Sequence, residues 1–305
     1  MTTFVREQAD AKPAVSIVIP SYQSERVMLP CLRALARQAF NEPTEVVLVD
    51  SSTDGTRTLV RSEFPSVRIR ERAGQTWPGE ARNVGVESAR GDLIIFLDAD
   101  TVPQPGWLRA MVERLRRGDA AVVLGAVQSM HTGSLVAHAA QICEFSGFTI
   151  WDRAREVAVG PALTMGVRRD RLDAGAWRFP RLRCCEDIMF CRGVSRAGDR
   201  IVFEPAAVVA HNDPVEIWHL AGKMELIGRT GGPLRLREHL PGAAFARHPG
   251  LIALMPSVRT VVALARTFRW GWRPWWRSMR AAHLVFRVMW AYAKGFRAGL
   301  KEAAG

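Results

Sequence analysis

The sequence predicts an α/β fold with a doubly wound, mostly parallel β-sheet, followed by a C-terminal helical, amphipathic extension. Two observations predict the sheet: short runs of β-branched residues recur up to residue 127, and segments of helical periodicity lie between them. Residues 215–305 keep a helical spacing of apolar residues, which predicts the extension. With 305 residues, 48% of them hydrophobic, the chain can bury a full core.

The predicted elements follow one another in the alternating order of a doubly wound sheet. Each predicted strand is a continuous apolar run that ends at a turn-forming or polar residue. We predict strands at residues 14–20, 45–49, 67–70, 92–97, 120–127 and 201–210. We predict helices at residues 28–40, 56–63, 79–89 and 107–117.

The charge divides the chain into two predicted domains. Residues 1–214 contain 27 Lys/Arg and 26 Asp/Glu, whereas residues 215–305 contain 15 and 4, so most of the net charge of +12 lies in the last part. We predict one domain at 1–214, with a nucleotide-binding half at about 14–127 and an acceptor half at about 128–214. Residues 215–305 form a basic extension with six of the ten Trp. Such an extension favours an anionic membrane surface as partner. Nucleic acid is not expected, since no recognised nucleic-acid motif accompanies the basic residues.

The end of the extension is predicted to form an amphipathic helix. One arc of residues 284–297 is apolar and the opposite arc is basic, which suits a lipid interface. The alternative is a helix packed on the body with a solvated basic face. Upstream, five prolines are expected to break the helices: Pro233, Pro241, Pro249, Pro256 and Pro274.

Cysteine usage and hydropathy predict a cytoplasmic body, and the basic extension predicts that the protein is peripheral on the cytoplasmic face of the membrane. The five Cys show no C-x-x-C spacing, which favours reduced thiols. Residues 1–13 lack the apolar core of a signal peptide. We find no continuous apolar run of about 18 residues and therefore expect no membrane-spanning helix.

Acidic residues directly follow two of the predicted strands. Asp50 ends one strand, and Asp98-Ala99-Asp100 follows the run IIFL. In open α/β sheets, ligands bind outside the carboxyl ends of the strands. Two carboxylates at i and i+2 can share a hard divalent cation, Mg²⁺ or Mn²⁺, which can neutralise a diphosphate. The alternative is that these aspartates are turn or helix-capping residues.

Four motifs occur in the same order as in a known family. They are VSIVIPSYQSERVMLPCLRALARQ, EVVLVDSSTDGT, GEARNVGVESARGDLIIFLDAD and CCEDIMFCRGVSRAG. Together they resemble the family 2 glycosyltransferases, which have the GT-A fold. The resemblance covers roughly residues 15–211 and implies a nucleotide-sugar donor, a divalent metal and an inverting transfer.

The resemblance implies a role for each matching residue on the donor side. Pro20 and Tyr22 match the nucleoside contact at the end of the first strand, and Asp50 matches the residue that hydrogen-bonds the nucleobase. Arg82 stands in the segment beside the donor, as does the neighbouring Asn83. Two departures are Gln23, where the family has Asn, and the loop VDSSTDGT, which is one residue shorter than the usual VDDGSTDGT.

The resemblance also implies metal ligands and a base. Asp98, with Ala99, matches the donor and metal side of the site, and Asp100 matches the metal ligand proper. His211 stands where some relatives place a further metal ligand. Glu186-Asp187 matches the pair in which the aspartate is the catalytic base, and Arg192 is a supporting candidate.

The sequence thus predicts an inverting glycosyltransferase that moves a sugar from a nucleotide-diphosphate donor to a hydroxyl acceptor. A lipid-linked or cell-envelope acceptor would fit a membrane-binding extension. Two alternatives remain open. One is a catalytically silent, membrane-associated scaffold; the other is a metal-dependent nucleotidyltransferase.

Overall fold

The computed structural model describes residues 12–304, and the chain divides into two compact units. The first unit comprises the described residues through Gln128 together with Arg153–His211. The second comprises Ser129–Asp152 and the chain from Asn212 onward. The prediction that residues 1–13 are not a signal peptide falls mostly on residues 1–11, which lie outside the described part of the chain.

The first unit is built on a nine-stranded mixed sheet. Its strand order is β3-β2-β1-β4-β8-β6-β9-β5, and β7 pairs with β9. The strands are β1 Val15–Ser21, β2 Thr44–Asp50, β3 Arg68–Glu71, β4 Leu93–Leu97, β5 Thr101–Pro103, β6 Val122–Ser129, β7 Arg155–Glu156, β8 Thr164–Arg168 and β9 Ile201–His211. The helices are α1 Glu25–Ala36, α2 Thr56–Glu63, α3 Pro78–Ser88, α4 Trp107–Arg116, α6 Arg169–Ala174 and α7 Glu186–Arg196.

The sheet changes direction at β4. Strands β1 to β4 pair in parallel, with Ile17 beside both Val46 and Ile95, whereas β8 runs antiparallel to β4 and β6. Strands β2 and β4 are buried along their whole length, since helices cover both faces of a parallel sheet. The carboxyl ends of β1, β2 and β4 therefore lie at one edge, and they carry Ser21, Asp50 and Asp98. Each predicted strand and helix is observed within a few residues of its expected bounds, whereas β5, β7, β8 and α6 were not predicted.

The second unit is helical. Its helices are α5 Leu135–Phe145, α8 Ile217–Arg237, α9 Ala243–Arg247, α10 Met255–Thr267 and α11 Trp272–Ala304, with 3₁₀ turns at Pro249–Leu254 and Phe268–Trp270. The predicted boundary at residue 214 differs from the observed division in one segment. Residues 129–152, which the prediction gave to the acceptor half, pack with the C-terminal helices, because the apolar residues of α5 share a core with α8, α10 and α11.

The apolar face of α11 packs inside the protein, so the prediction that it faces lipid is wrong. Five of the six residues on the predicted apolar arc are at most 1% exposed, because α8, α10 and α11 form one core. They are Val285, Val288, Met289, Tyr292 and Phe296; Leu284 is half-buried against the same core. The long helices α8 and α11 also approach closely. A Cβ at Gly228 would collide with the carbonyl of Tyr292, and one at Gly295 with the carbonyl of Glu225.

Two further expectations concern Pro233 and the absence of a membrane-spanning helix, and only the first is wrong. Pro233 does not end a helix; it lies inside α8, where packing against α11 compensates for the lost backbone hydrogen bond. The stretch Pro249–Trp270 is long and apolar enough to cross a membrane, judged by length and composition alone, and 33% of its apolar window is buried in the protein. Arg259, Arg266 and Arg269 interrupt this stretch, so it is not a continuous apolar run of about 18 residues, and the expectation that the protein has no membrane-spanning helix stays a prediction.

Candidate active site

The acidic triplet forms a tight turn at the end of β4. The amide of Asp98 donates to the carbonyl of Leu163 at 3.2 Å, and the carbonyl of Asp98 accepts from the Thr101 amide at 3.1 Å and hydroxyl at 2.6 Å. Ala99 is buried at 7% exposure, whereas the side chains of Asp98 and Asp100 are 31% and 43% exposed. The turn therefore presents both carboxylates at the edge of the sheet.

His211 lies beside Asp100 because of strand pairing. Antiparallel β5 and β9 put Thr101 opposite His211, and this brings His211 Nε2 to 3.5 Å from Asp100 Oδ2. Among residues 12–304, no group of three or more His, Cys, Asp and Glu side chains is arranged to hold a metal. The carboxylate of Asp100 and the imidazole of His211 would supply two ligands to Mg²⁺ or Mn²⁺.

Arg82 links the acidic triplet to the Glu186-Asp187 pair. Its side chain is 3% exposed; Nη2 lies 2.6 Å from Asp98 Oδ1 and Nη1 lies 2.7 Å from Glu186 Oε1. Burial by itself would lower the pKa of Arg82, but the charges of Asp98 and Glu186 outweigh it and raise that pKa. Arg82 is therefore a permanent cation between two carboxylates, and Asp98 is engaged with it.

Asp187 stands in the first turn of α7, next to that ion pair. Its Oδ1 accepts a hydrogen bond from the Ile188 amide at 2.8 Å. Burial and the neighbouring charge of Glu186 raise the pKa of Asp187 to about 7, although the Ile188 amide and the charge of Arg82 act in the opposite direction. A partly exposed carboxyl with a pKa near neutrality can accept a proton from a substrate hydroxyl.

Helix α3 fixes the approach to α7 through the segment at Phe179. The Asn83 amide donates to the carbonyl of Phe179 at 2.8 Å and accepts from its amide at 3.0 Å. At Gly79 a Cβ would lie only 2.8 Å from the carbonyl of Pro180, so the backbones approach closely there. Asn83, which the sequence placed beside the donor, thus holds the chain that leads into α7.

Asp50 is placed differently from the prediction. Its side chain is fully buried, and its oxygens accept from the hydroxyls of Ser21 and Ser52, both at 2.7 Å, and pair with Arg57 Nε at 3.0 Å. A carboxylate with these partners and no exposed surface is not available for a direct contact with a nucleobase. The structure indicates that Asp50 orients the neighbouring loop instead.

Gln23 explains how the shortened loop is held. Its backbone φ is 53°, and its side-chain oxygen accepts from the amides of Thr53 and Asp54, both at 3.1 Å. The adjacent Tyr22 is 44% exposed at the same edge, with Pro20 half-buried behind it. The aromatic ring of Tyr22 is therefore accessible to a planar ligand.

Arg192 stays a predicted site residue, whereas Phe179 and Arg57 were not predicted from the sequence. Arg192 lies half-buried on α7, five residues after Asp187. Phe179 was missed; its ring lies 5.4 Å from the Arg82 guanidinium. Arg57, the partner of Asp50, was missed as well. The Phe-Pro dipeptide at Phe179 was visible in the sequence, but nothing local indicated that it contacts α3.

The chain is similar to known proteins in family, in sequence and in structure. The model of the family described as Glycosyl transferase family 2 matches residues 16–169. The glycosyltransferase AglE of Haloferax volcanii is 27% identical over 206 residues, which cover 65% of this chain and 67% of that protein. The succinoglycan biosynthesis protein ExoO of Rhizobium meliloti is 37% identical over 129 residues, 41% of this chain but only 36% of that protein.

Two solved structures share the fold at low sequence identity. The S. aureus TarS fragment 1–349 in complex with UDP-GlcNAc has a TM-score of 0.56 and 19% identity, over 95% of this chain and 91% of that one. The mannosyltransferase PcManGT from Pyrobaculum calidifontis, in complex with GDP-Man and Mn²⁺, has a TM-score of 0.58 and 18% identity, over 97% and 87% of the two chains. The predicted fold class is confirmed.

Replacing Arg82 by Gln is expected to lower the free energy of unfolding by about 3–5 kcal/mol, because it leaves two carboxylates without their buried cation. Urea unfolding followed by circular dichroism measures this. The control is Arg181→Gln, which breaks an exposed ion pair with Glu80 of the same helix α3 and should cost less than about 1 kcal/mol. Equal losses in the two variants would contradict the structural role of Arg82.

Proposed function

The chain belongs to glycosyl transferase family 2, and on that basis we propose that it transfers a sugar, with inversion, from a nucleotide-diphosphate donor to a hydroxyl acceptor. One observation carries the proposal: Arg82 joins Asp98 of the acidic turn to Glu186, the neighbour of a carboxyl whose pKa is raised towards neutrality. The proposed donor side and the proposed base thus belong to one ion-paired cluster. The donors bound by TarS and PcManGT, UDP-GlcNAc and GDP-Man, represent the donor class.

Asp187 is the proposed catalytic base. It takes the proton of the acceptor hydroxyl while that oxygen attacks the anomeric carbon, and the bond from that carbon to the diphosphate breaks on the opposite face. The electron pair of the broken bond leaves with the diphosphate. An aspartate with an ordinary pKa would be a weaker base, so the burial of Asp187 and the charge of Glu186 serve this step.

Asp100 and His211 are the proposed protein ligands of a divalent cation, Mg²⁺ or Mn²⁺. When bound there, the cation supplies positive charge to the departing diphosphate. Asp98 is a weaker candidate for a metal ligand than Asp100, because one of its carboxylate oxygens already pairs with Arg82. Tyr22 is the proposed contact for the nucleoside, and Asp50 acts on that contact through Ser21 and the loop after β2.

We further propose that the second unit binds an anionic membrane surface, so that the protein is peripheral on the cytoplasmic face and its acceptor is lipid-linked. The support comes from a patch of exposed apolar residues on α10, on the 3₁₀ turns before and after it, and at the start of α11. Its residues are Leu254, Val258, Val261, Val262, Phe268 and Trp272, which are 45–71% exposed and recur at helical spacing on α10. Arg273 and Arg280 follow on α11, and aromatic and basic side chains together suit the lipid interface.

Asp187→Asn is expected to reduce turnover by about 10²–10⁴-fold while donor binding survives, because the amide cannot accept the acceptor proton. Asp100→Ala is expected instead to lose Mn²⁺-dependent donor binding. Turnover with a panel of nucleotide sugars and calorimetric donor titration separate the two effects. Asp173→Asn, at an exposed position of α6, is the control and should change neither. Full turnover in Asp187→Asn would refute the assignment of the base.

The pH profile of turnover is expected to report the raised pKa of Asp187. The base works only when it is deprotonated, so turnover should rise with pH up to about 7 and then level off. Glu186→Gln removes the like charge, lowers the pKa of Asp187 and should move this rise to lower pH. Glu80→Gln on α3 is the matched control, with an unshifted profile. A profile that is the same in Glu186→Gln and the unmodified protein would assign the titration to another group.

The double variant Phe268→Ser/Trp272→Ser is expected to float poorly with vesicles that contain anionic lipid, since it removes two exposed apolar side chains from the patch. Vesicle flotation of the full chain with phosphatidylcholine, with and without phosphatidylglycerol, measures this. Trp218→Ser is the control, because Trp218 is 63% exposed but lies on α8 outside the patch. Equal flotation of the double variant and the unmodified protein would exclude the patch as the membrane contact.

A further inference from the structure

The second unit contains an open cavity between α10 and α11 that the proposed transfer reaction does not use. Its volume is about 270 Å³. Apolar side chains form much of its wall, including Phe245, Met255, Met289 and Phe296, and Val258 and Val262 at its rim are 45% and 46% exposed. Among residues 12–304, no acidic side chain lines the cavity. The charge of Glu144 acts on Cys143 of the cavity wall, but Glu144 is paired with Lys223 and does not itself line the cavity.

Three arginines line this cavity: Arg235, Arg259 and Arg266. Arg259 lies 3.9 Å from the centre of the Tyr292 ring and donates to Met289 Sδ at 3.4 Å, and Arg235 donates to the backbone carbonyl of Gly231 at 3.0 Å. Within residues 12–304, none of the three forms an ion pair with Asp or Glu. Burial and the like charges of Arg259 and Arg269 lower the pKa of Arg266. The cavity thus concentrates positive charge that the described protein does not neutralise.

Tyr292 supplies a second, independent feature that points to a ligand. The residue is 1% exposed, and its hydroxyl is buried without a hydrogen-bond partner in the described part of the chain. A buried hydroxyl without a partner costs about 1–3 kcal/mol, so native proteins rarely leave one. The hydroxyl lies near Gly231, next to the guanidinium of Arg235. An unpartnered hydroxyl therefore lies beside one of the cavity arginines.

We infer that this cavity binds the phosphate headgroup of an anionic lipid. The three arginines contact the phosphate oxygens, and the first methylenes of the lipid lie on Val258 and Val262. The volume is below the usual range for a whole small-molecule ligand, about 300–1,000 Å³, so only the headgroup and the start of the chain are enclosed. The rim continues into the exposed face of α10, where Val261 and Leu254 can contact the rest of the lipid acyl chain.

The inference rests on the proposed membrane association for the source of the lipid and does not depend on the transfer reaction. It differs from general attraction to a charged surface because it requires a single saturable site. A soluble short-chain lipid tests it without a membrane. Donor titration on the same preparation shows separately whether the first unit is folded and able to bind.

The experiment is calorimetric titration of the full chain with dihexanoyl phosphatidic acid below its micelle concentration. We expect one saturable site, with binding weakened at least about tenfold in Arg259→Gln, because a charged hydrogen-bond donor is lost. Arg266→Gln and Val262→Asp, both at the exposed rim, should also weaken binding and leave the fold intact. They keep the test decisive if Arg259→Gln does not fold.

Two comparison ligands and one control variant distinguish the alternatives. Dihexanoyl phosphatidylcholine should bind at least about tenfold more weakly, since its choline opposes the arginines; equal binding would overturn the role of charge. Inorganic phosphate should also bind more weakly, and equal binding would assign the site to a free anion. Arg287→Gln removes an exposed arginine of α11 that does not line the cavity. If it weakens binding as much as Arg266→Gln does, the effect is general charge and the inference fails.

Discussion

The buried guanidinium of Arg82 is the interaction on which the geometry of the site depends. It holds Asp98 after β4 and Glu186 at the start of α7. These two residues are 88 positions apart in the sequence and belong to different elements. Its charge also moderates the pKa of Asp187, which burial and Glu186 raise. One residue therefore holds Asp98 and Glu186 together and also influences the pKa of Asp187, the proposed base.

The elements around Arg82 explain why it can be buried. Helix α3 carries it against the sheet, and Asn83 on the same helix holds the backbone of Phe179, so the segment before α7 cannot move away from the guanidinium. Close backbone approach at Gly79 adds to this restraint. The same principle operates after β2, where Asp50 is buried among Ser21, Ser52 and Arg57 and organises a loop from the inside. Buried charges here position the groups that are exposed.

In the second unit, the helices carry more apolar side chains than their shared core buries. The apolar stripe of α11 is buried against α8 and α10, and close contact at Gly228 and Gly295 brings α8 and α11 together. Helix α10 packs with one face and keeps Val258, Val261 and Val262 outside. Basic residues outnumber acidic ones in this unit, since residues 129–152 and 212–304 contain 15 Lys/Arg but only five Glu and two Asp. Exposed apolar groups beside unneutralised cations are the physical basis for the lipid contacts proposed above.

The sequence by itself determined the order of strands and helices and the positions of Asp50, Asp98 and Asp100 at strand ends, because apolar runs and their polar stops are local signals. Asp187 was located by its motif. Only the tertiary structure decided that Arg82 bridges Asp98 and Glu186, that His211 lies beside Asp100, and that Asp50 faces inward. It also decided that the apolar arc of α11 faces other helices and not lipid. The reason is that the hydrophobic effect removes apolar surface from water without specifying the partner, and ion pairs between distant residues leave no periodic signal in the chain.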